Sequence, residues 1–526
     1  MNTRVKNGNG VSVVLQGFLL CVSLLGFLTV LAGNSVNPDA IELVPLPKPI
    51  EFESNIDSPV AFDSTTSVLV DCPDGDGVKW LSSHFADWFG QSAPKVKSGK
   101  CALELKEGSE AYAVETGAEG VKIAARTLAG VRWAAYSLRQ LAIAKRGAAK
   151  IGGRILPTLK MSDRPHLGFR AVHLCWFPEL RPQQIERAIR LAALMKFNYA
   201  IIEPWGMYES EKHPWWHWPN PTMTKSEVRR LVAVGKDLGI TLIPQINVYG
   251  HGSAARSISM KHVALDFHPE CEPFFEPGGW NWCITNPETQ RVLRELIAEM
   301  HEDFGNPPFF HLGCDEAQPP SCPECRKIPY GELVCRHISG LASYVKSRGA
   351  QAMMWHDMLL DREDERWKKY VRSGSKTTAS MVDRLPKDMV ICDWQYDNRD
   401  AEHTRWPTVA YFNDKGFPVA ISPWENFKSM RAMADFVGKI GGFGYVQTTW
   451  HRLNGKNWVH LYRYGSSAAW GSSMREQGGS GWQGPTPRYD TEFALLLRFV
   501  GHDMKVSSYS DTGLVNRQIQ PEWWTN

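Results

Sequence analysis

Asp315 and Glu316 stand side by side in "PFFHLGCDEAQPP", residues 308 to 320, where an alternating apolar run gives way to a Pro-rich break. Unpaired carboxylates are seldom buried, because taking a charge out of water is costly. Two of them at the end of a buried strand therefore sit in an exposed loop or line a pocket that uses them. Close carboxyls push their pKa values apart, so one can hold a proton while its neighbour stays charged. That division suits a proton donor with an electrostatic partner.

More acids, histidines and tryptophans occupy comparable places. Buried apolar runs read as strands in "GFRAVHLC", "NYAIIE", "ITLIPQI", "PFFHLG", "AQAMMW", "MVICDW", "FPVAIS" and "GFGYVQTT". Amphipathic helices such as "QQIERAIRLAALMKF", "KSEVRRLVAVGKDLG" and "ETQRVLRELIAEMHEDF" fall between them. Eight strands alternating with helices predict a closed (β/α)8 TIM barrel, whose chemistry sits where the strands end. A doubly wound open sheet is the alternative, but the chain has no Gly-rich phosphate loop. The residues that follow the strands are Glu203 with Trp205, His251 in "NVYGHG", Asp315 with Glu316, and Trp355 with Asp357. Trp394 with Asp397, Trp424 with Glu425, and Trp450 with His451 complete the series. Singly, each is better explained by packing or helix capping. Their recurrence at one rim of the barrel is what points to a site.

Ahead of the barrel, "TSVLVDC", "YAVETGAEGVKIAA", "GVKWLSSHFADWFG" and "TLAGVRWAAYSLRQLAIA" predict a small α/β domain over residues 35–160, entered through a Pro-rich linker. "TLKMSDRPH" leads out of it into a barrel over residues 161–485, and residues 486–526 form a C-terminal extension. Arg4 and Lys6 precede an apolar stretch from Val11 to Ala32, so residues 1–34 read as a signal peptide or an uncleaved membrane anchor. Either places the remainder outside the cytoplasm, secreted, periplasmic or anchored. The net charge of +3 and the lack of basic runs give nucleic acid no footing. The 21 tryptophans suit sugar-stacking rims as well as cores.

Eleven cysteines fit an oxidising compartment without fixing their pairing, although Cys72 and Cys101, the only two in the small domain, are expected to bridge. "CPEC" (Cys322 to Cys325), with Cys335 and His337 beyond it, offers zinc ligands. The spacing matches no defined zinc signature, so a disulfide or thiol cluster is expected, with no metal and no cofactor.

"HLGCDE" resembles the H-x-G-G/C-D-E motif of glycoside hydrolase family 20, the β-N-acetylhexosaminidases, and looks closest to the hexosaminidase D-like subgroup. "NYAIIEPWGMY", "LIPQINVYGHG", "MMWHDML" and "TTWHR" resemble further family segments in the same order, and the small domain resembles the one that precedes many family barrels. The resemblance implies an exo-acting, retaining hydrolase of terminal β-linked N-acetylhexosamine, with Glu316 as general acid/base and Asp315 orienting the substrate's 2-acetamido group. Retaining enzymes with a covalent intermediate hold two carboxyls about 5–5.5 Å apart, and family 20 is an exception that relies on the substrate. Neighbouring residues, with Cα atoms about 3.8 Å apart and one direction of approach, fit the exception. By the same resemblance Trp355, Trp394 and Trp450 wall the sugar, His251 and His311 contact it or support Glu316, and Glu203 bonds the sugar or the acid; Asp357 and Glu425 are also expected to bind substrate. Cys175 replaces the family's first-strand Asp, and "SPWENF" stands where better-known members carry an acetamide-binding Tyr and Asp. Gluco or galacto preference stays open on these grounds. A two-carboxylate glycosidase using Glu316 and Glu425, or a non-catalytic sugar-binding barrel, are the other readings.

Overall fold

The computed structural model describes residues 43–45, 52–144, 154–253 except 179, 264–396 except 369 and 372, 406–450, 453 and 458–471. The N-terminal apolar stretch, Asp397, His451 and the C-terminal extension lie outside the described residues. Among the described residues no helix is long and apolar enough to cross a membrane.

Six strands form the first sheet: β1 (Phe52–Ala61), β2 (Ser67–Asp71), β3 (Lys95–Ser98), β4 (Tyr112–Gly117), β5 (Gly120–Ala125) and β6 (Ile155–Asp163), in the order β1-β6-β4-β5-β2-β3. The segment expected to lead out of the small domain is instead β6, paired antiparallel to β1 and β4 and running past the expected boundary at 160. Its alternation of buried and exposed side chains, clear from Leu159 to Asp163, is the strand signal that its Pro and charged residues obscured. Cys72 and Cys101 do not bridge: the Cys101 thiol faces the Ile123 carbonyl at 3.8 Å, and both cysteines are free thiols, as are the other eight described ones.

All eight expected barrel strands form: β7 (Phe169–Cys175), β8 (Tyr199–Glu203), β9 (Thr241–Pro244), β10 (Phe309–His311), β11 (Gln351–Trp355), β12 (Val390–Gln395), β13 (Val419–Pro423) and β14 (Gly444–Thr448). They are parallel throughout, β14 pairs with β7, and a Gln245–His311 bridge joins the end of β9 to β10, closing the barrel. β7, β12, β13 and β14 are buried at every position, as strands covered on both faces must be. Phe169, Ala171, Ile201, Ile243, Met353 and Val446 are among the residues that fill the interior, so the barrel is a packed core and chemistry is left to its rim.

The small domain docks at the foot of the barrel through its helices Asp76–Phe89 and Leu128–Ala144. Trp80 Nε1 donates to the Asp237 carbonyl, Tyr136 Oη to Leu238 and Gln140 Nε2 to Leu194, all at the carboxyl ends of barrel helices. Two fully buried cations cross this seam. Arg170 on β7 pairs with Glu110 at 2.5 Å, and Lys196 donates to Tyr112 Oη at 2.6 Å beside Asp163 at 3.4 Å. Burial pulls the Lys196 ammonium down to about 8, against the attraction of Asp163.

Candidate active site

β10 is only three residues long because the chain leaves the sheet at once. Gly313, Cys314 and Glu316 all take left-handed backbone, with φ of 65°, 72° and 50°. A Cβ on Gly313 would lie 1.8 Å from Asn247 Oδ1, so only glycine allows this turn. Cys314 and Glu316 adopt it at a cost of roughly 1–3 kcal/mol each, the kind of strain that persists where the surroundings over-determine a site. His251 (φ 55°) and Trp450 (φ 44°) share it, so four of the six described non-glycine residues with positive φ gather at this rim.

The turn separates the two acids. Asp315 is buried, with 10% of its side chain exposed, whereas Glu316 is 46% exposed
. His251 Nε2 lies 3.5 Å from Asp315 Oδ2 and 3.5 Å from Glu316 Oε2, and so faces both carboxylates. Gly250 makes this approach possible: a Cβ there would sit 2.2 Å from the Asp315 carbonyl. Burial alone would push the imidazole down, but the charge of Asp315, reinforced by Glu316, raises it to about 10. His251 is therefore an imidazolium at neutral pH. Asp315 is also raised, by burial first and then by the acids around it, with His251 opposing. The proton resides on the ring, since Nε2 faces two carboxylates at once.

Asp357 was expected at the sugar. It is fully buried instead, and its Oδ2 accepts the backbone N–H of Glu316 at 2.9 Å. Burial, then the charge of Asp315, pushes it up to about 8, so at neutral pH it is mostly a neutral acid that pins the Glu316 backbone. Glu203 is also buried; Asn247 Nδ2 donates to its Oε1 at 2.6 Å, and His173 Nε2 lies 3.0 Å from its Oε2. These contacts outweigh burial and hold it below the usual carboxylate range. Cys175, in the place of the expected Asp, approaches Glu203 Oε2 at 3.5 Å. With Trp205, Asn247 and His251, Glu203 lines a hollow beside the acids.

His311 and Trp355 are wholly buried, their rings 4.4 Å apart. Burial drives His311 well below its usual pKa, and its Nδ1 accepts the Gly313 N–H, so it is a neutral prop beneath the turn. Trp355 is the floor of the site and not its wall, one layer below Trp450 at 6.1 Å. Trp394 and Trp450 reach the rim, linked by a residue the sequence reading passed over. Tyr396 stacks on Trp394 at 5.1 Å and accepts the Trp450 Nε1–H at 2.9 Å. Trp280 was also missed: its ring lies 4.4 Å from His251 and its Nε1 donates to the Glu316 carbonyl at 2.8 Å. Trp280, in a long loop, had no strand-end signal to mark it, whereas Tyr396 stands between Trp394 and Asp397 at a strand end already singled out. Glu425 lies just past β13, partly exposed, three strands round the barrel from β10.

The arrangement offers a half-exposed acid as proton donor, a buried carboxylate kept charged by an imidazolium, and an aromatic wall. Comparison with known proteins agrees with that chemistry. A lacto-N-biosidase of Bifidobacterium bifidum is 24% identical over 277 residues, covering 49% of this chain and 23% of that protein. The beta-hexosaminidase subunit beta of Entamoeba histolytica is 25% identical over 243 residues, 43% of this chain and 41% of the relative. The chain thus spans less than half the length of these two curated relatives. An exo beta-N-acetylglucosaminidase of Vibrio harveyi, solved with N-acetylglucosamine, shares the fold with a TM-score of 0.62 at 17% identity, over 91% of this chain and 79% of that one. The family profile for the "Glycosyl hydrolase family 20, catalytic domain" matches residues 194–434, and that for "Glycosyl hydrolase family 20, domain 2" matches residues 40–163. Two family profiles in order, laid over the barrel and the sheet before it, place the chain in glycoside hydrolase family 20.

Proposed function

We propose that this chain is an exo-acting, retaining β-N-acetylhexosaminidase that uses the substrate's own acetamide as nucleophile. The observation that carries the reading is the divergent Asp315–Glu316 pair, one acid buried and one exposed, with His251 facing both. In the first step the acetamide carbonyl oxygen attacks C1, and Glu316 gives its proton to the departing glycosidic oxygen. The Asp315 carboxylate accepts the acetamide N–H and stabilises the positive charge that spreads onto the resulting ring. In the second step Glu316, now a base, takes a proton from water, whose oxygen bonds to C1 and reopens the ring with net retention. Tyr396 Oη, already accepting from Trp450, has its own proton to give to the acetamide carbonyl. Trp394 and Trp450 supply apolar faces for the sugar, while His251 keeps Asp315 charged. We place the enzyme outside the cytoplasm, secreted or held by its N-terminal segment, on the apolar run of residues 11–32 alone.

The test is hydrolysis of aryl β-N-acetylglucosaminide, aryl β-N-acetylgalactosaminide and the matching 2-hydroxy glycosides by wild type, Glu316→Gln and Asp315→Asn. Turnover confined to the acetamido sugars, reduced at least about 100-fold in both variants, is expected from loss of the proton donor or of its electrostatic partner. Equal turnover of the 2-hydroxy sugars would refute participation of the acetamide.

A further inference from the structure

Next to the acids, two loops at the same rim bring together four side chains that the proposed reaction does not use. Glu276 and Cys283 come from the long connection between β9 and β10, and Cys322 and Cys325 from the segment after the catalytic turn. One donor atom from each lies within 4.8 Å of all the others. Cys283 Sγ is 3.8 Å from Cys322 Sγ and 3.8 Å from Cys325 Sγ. We propose that Glu276, Cys283, Cys322 and Cys325 form a structural zinc site that fastens the Trp280 loop to the segment following Asp315 and Glu316.

Three observations support this independently. A tetrahedron with Zn–S bonds of about 2.3 Å has sulfur–sulfur edges of about 3.8 Å, which is the spacing Cys283 makes with both partners. A disulfide needs about 2.05 Å and can join only one pair, so two equal approaches at 3.8 Å do not describe one. The carboxylate is built as a ligand. Glu276 is 3% exposed, and its Oε2 accepts from the Ser321 N–H at 2.8 Å and from the Cys322 N–H at 2.5 Å. Its Oε1 is buried with no hydrogen-bond partner, a costly arrangement for an anion unless a cation completes it. Thr285 Oγ1 lies 3.1 Å from Cys325 Sγ, where a hydroxyl can donate to a metal-bound thiolate. Thiolate-rich tetrahedral coordination favours zinc among the common divalent ions.

The ligand set differs from what "CPEC" suggested. Both nitrogens of His337 are occupied, Nδ1 by Gln290 and Nε2 by the Val248 carbonyl, each at 2.9 Å, and Cys335 lies in the helix Tyr330–Ser347, outside the cluster. Glu276 and Cys283 are some forty residues upstream of "CPEC" and become neighbours of it only when the barrel closes. The site has a direct line to the chemistry: Trp280 donates to the Glu316 carbonyl, and Asn281 exchanges hydrogen bonds with the Gln318 backbone. Fixing both loops to one ion would fix the backbone at the general acid and just after it.

The full chain, purified with reductant and without chelator from zinc-supplemented medium, should carry one zinc per chain by mass spectrometry of the metals. Cys283→Ser with Cys322→Ser should abolish it, and Glu276→Gln should weaken retention at least about tenfold, the scale of losing a tuned ligand. Those variants can fail to fold, so the decisive readouts use wild type. Cobalt(II) exchanged into the native protein should give the thiolate charge-transfer and intense visible bands of a tetrahedral site. Alkylation followed by peptide mapping should find Cys283, Cys322 and Cys325 protected until a chelator is added. Metal-free folded protein whose three thiols alkylate freely, or a disulfide mapped within this set, would overturn the proposal. None of these readouts depends on the glycosidase activity.

Discussion

His251→Gln removes a cation from between two carboxylates while leaving a side-chain amide able to donate a hydrogen bond. The rise of the imidazole from 6.5 to about 10 sets the scale. At about 1.4 kcal/mol per unit, the preference for the charged ring approaches 5 kcal/mol as a ceiling. One of its two partners, Glu316, is 46% exposed and screened by water, so about 2–3 kcal/mol is the effect to expect. The sign follows from linkage. A histidine raised in the folded state contributes stability that is complete below the unfolded pKa near 6.5 and is lost as pH rises towards 10. Within that window the folded protein binds the extra proton, and wild type should lose up to about 1.4 kcal/mol per pH unit relative to the variant. Urea unfolding midpoints from about pH 6 to about pH 9, converted with a common m-value, give the difference profile. The difference should be largest at the acid end of the window and shrink steadily towards pH 9. Parallel profiles would mean that the ring is not held as an imidazolium, and the account of how Asp315 stays charged would fall with it.

Asp357→Asn mimics the neutral acid and leaves an oxygen to accept the Glu316 N–H. Because the folded pKa is raised to about 8, wild type should lose stability as pH climbs from about 4 to 8, and the variant should show a flatter profile by differential scanning calorimetry. Trp280→Phe deletes the hydrogen bond to the Glu316 carbonyl; a net loss of about 1 kcal/mol predicts a roughly fivefold fall in kcat with little change in KM, measured on the aryl acetamido substrate. Gly250→Ala drives a methyl against the Asp315 carbonyl and should cost about 1–3 kcal/mol, read as a lower Tm together with lost turnover. A variant as stable and active as wild type would show that this close approach is not required.

The barrel was legible because buried parallel strands are written as short apolar runs between amphipathic helices, a pattern that survives without knowledge of contacts. The acids were legible because they follow such a run. What escaped depends on backbone direction or on loops. Asp357 looked like a rim residue, yet the left-handed turn at Glu316 presents an N–H downward and draws the carboxylate into the core. Trp355, at the last position of its strand, lies under the site because Trp450 covers it. Trp280, Glu276 and Cys283 sit in a long connection where no periodicity marks a face. β6 was hidden by Pro157 and by its charged Lys160 and Asp163, and its place was set by pairing with strands about forty and a hundred residues earlier.

The buried cations at the foot of the barrel have a consequence for what can vary in such a chain. Arg170 and Lys196 belong to the barrel, while Glu110, Tyr112 and Asp163 belong to the sheet docked against it. Replacing Glu110 or Asp163 with an apolar residue, the sheet still docked, would leave a buried cation without its counter-charge, at about 3–5 kcal/mol apiece, a sum close to the whole stability of an ordinary domain. The sheet is therefore joined to the barrel through buried charge as well as through apolar packing. Such changes would act at the foot of the barrel, at the opposite end from Asp315 and Glu316.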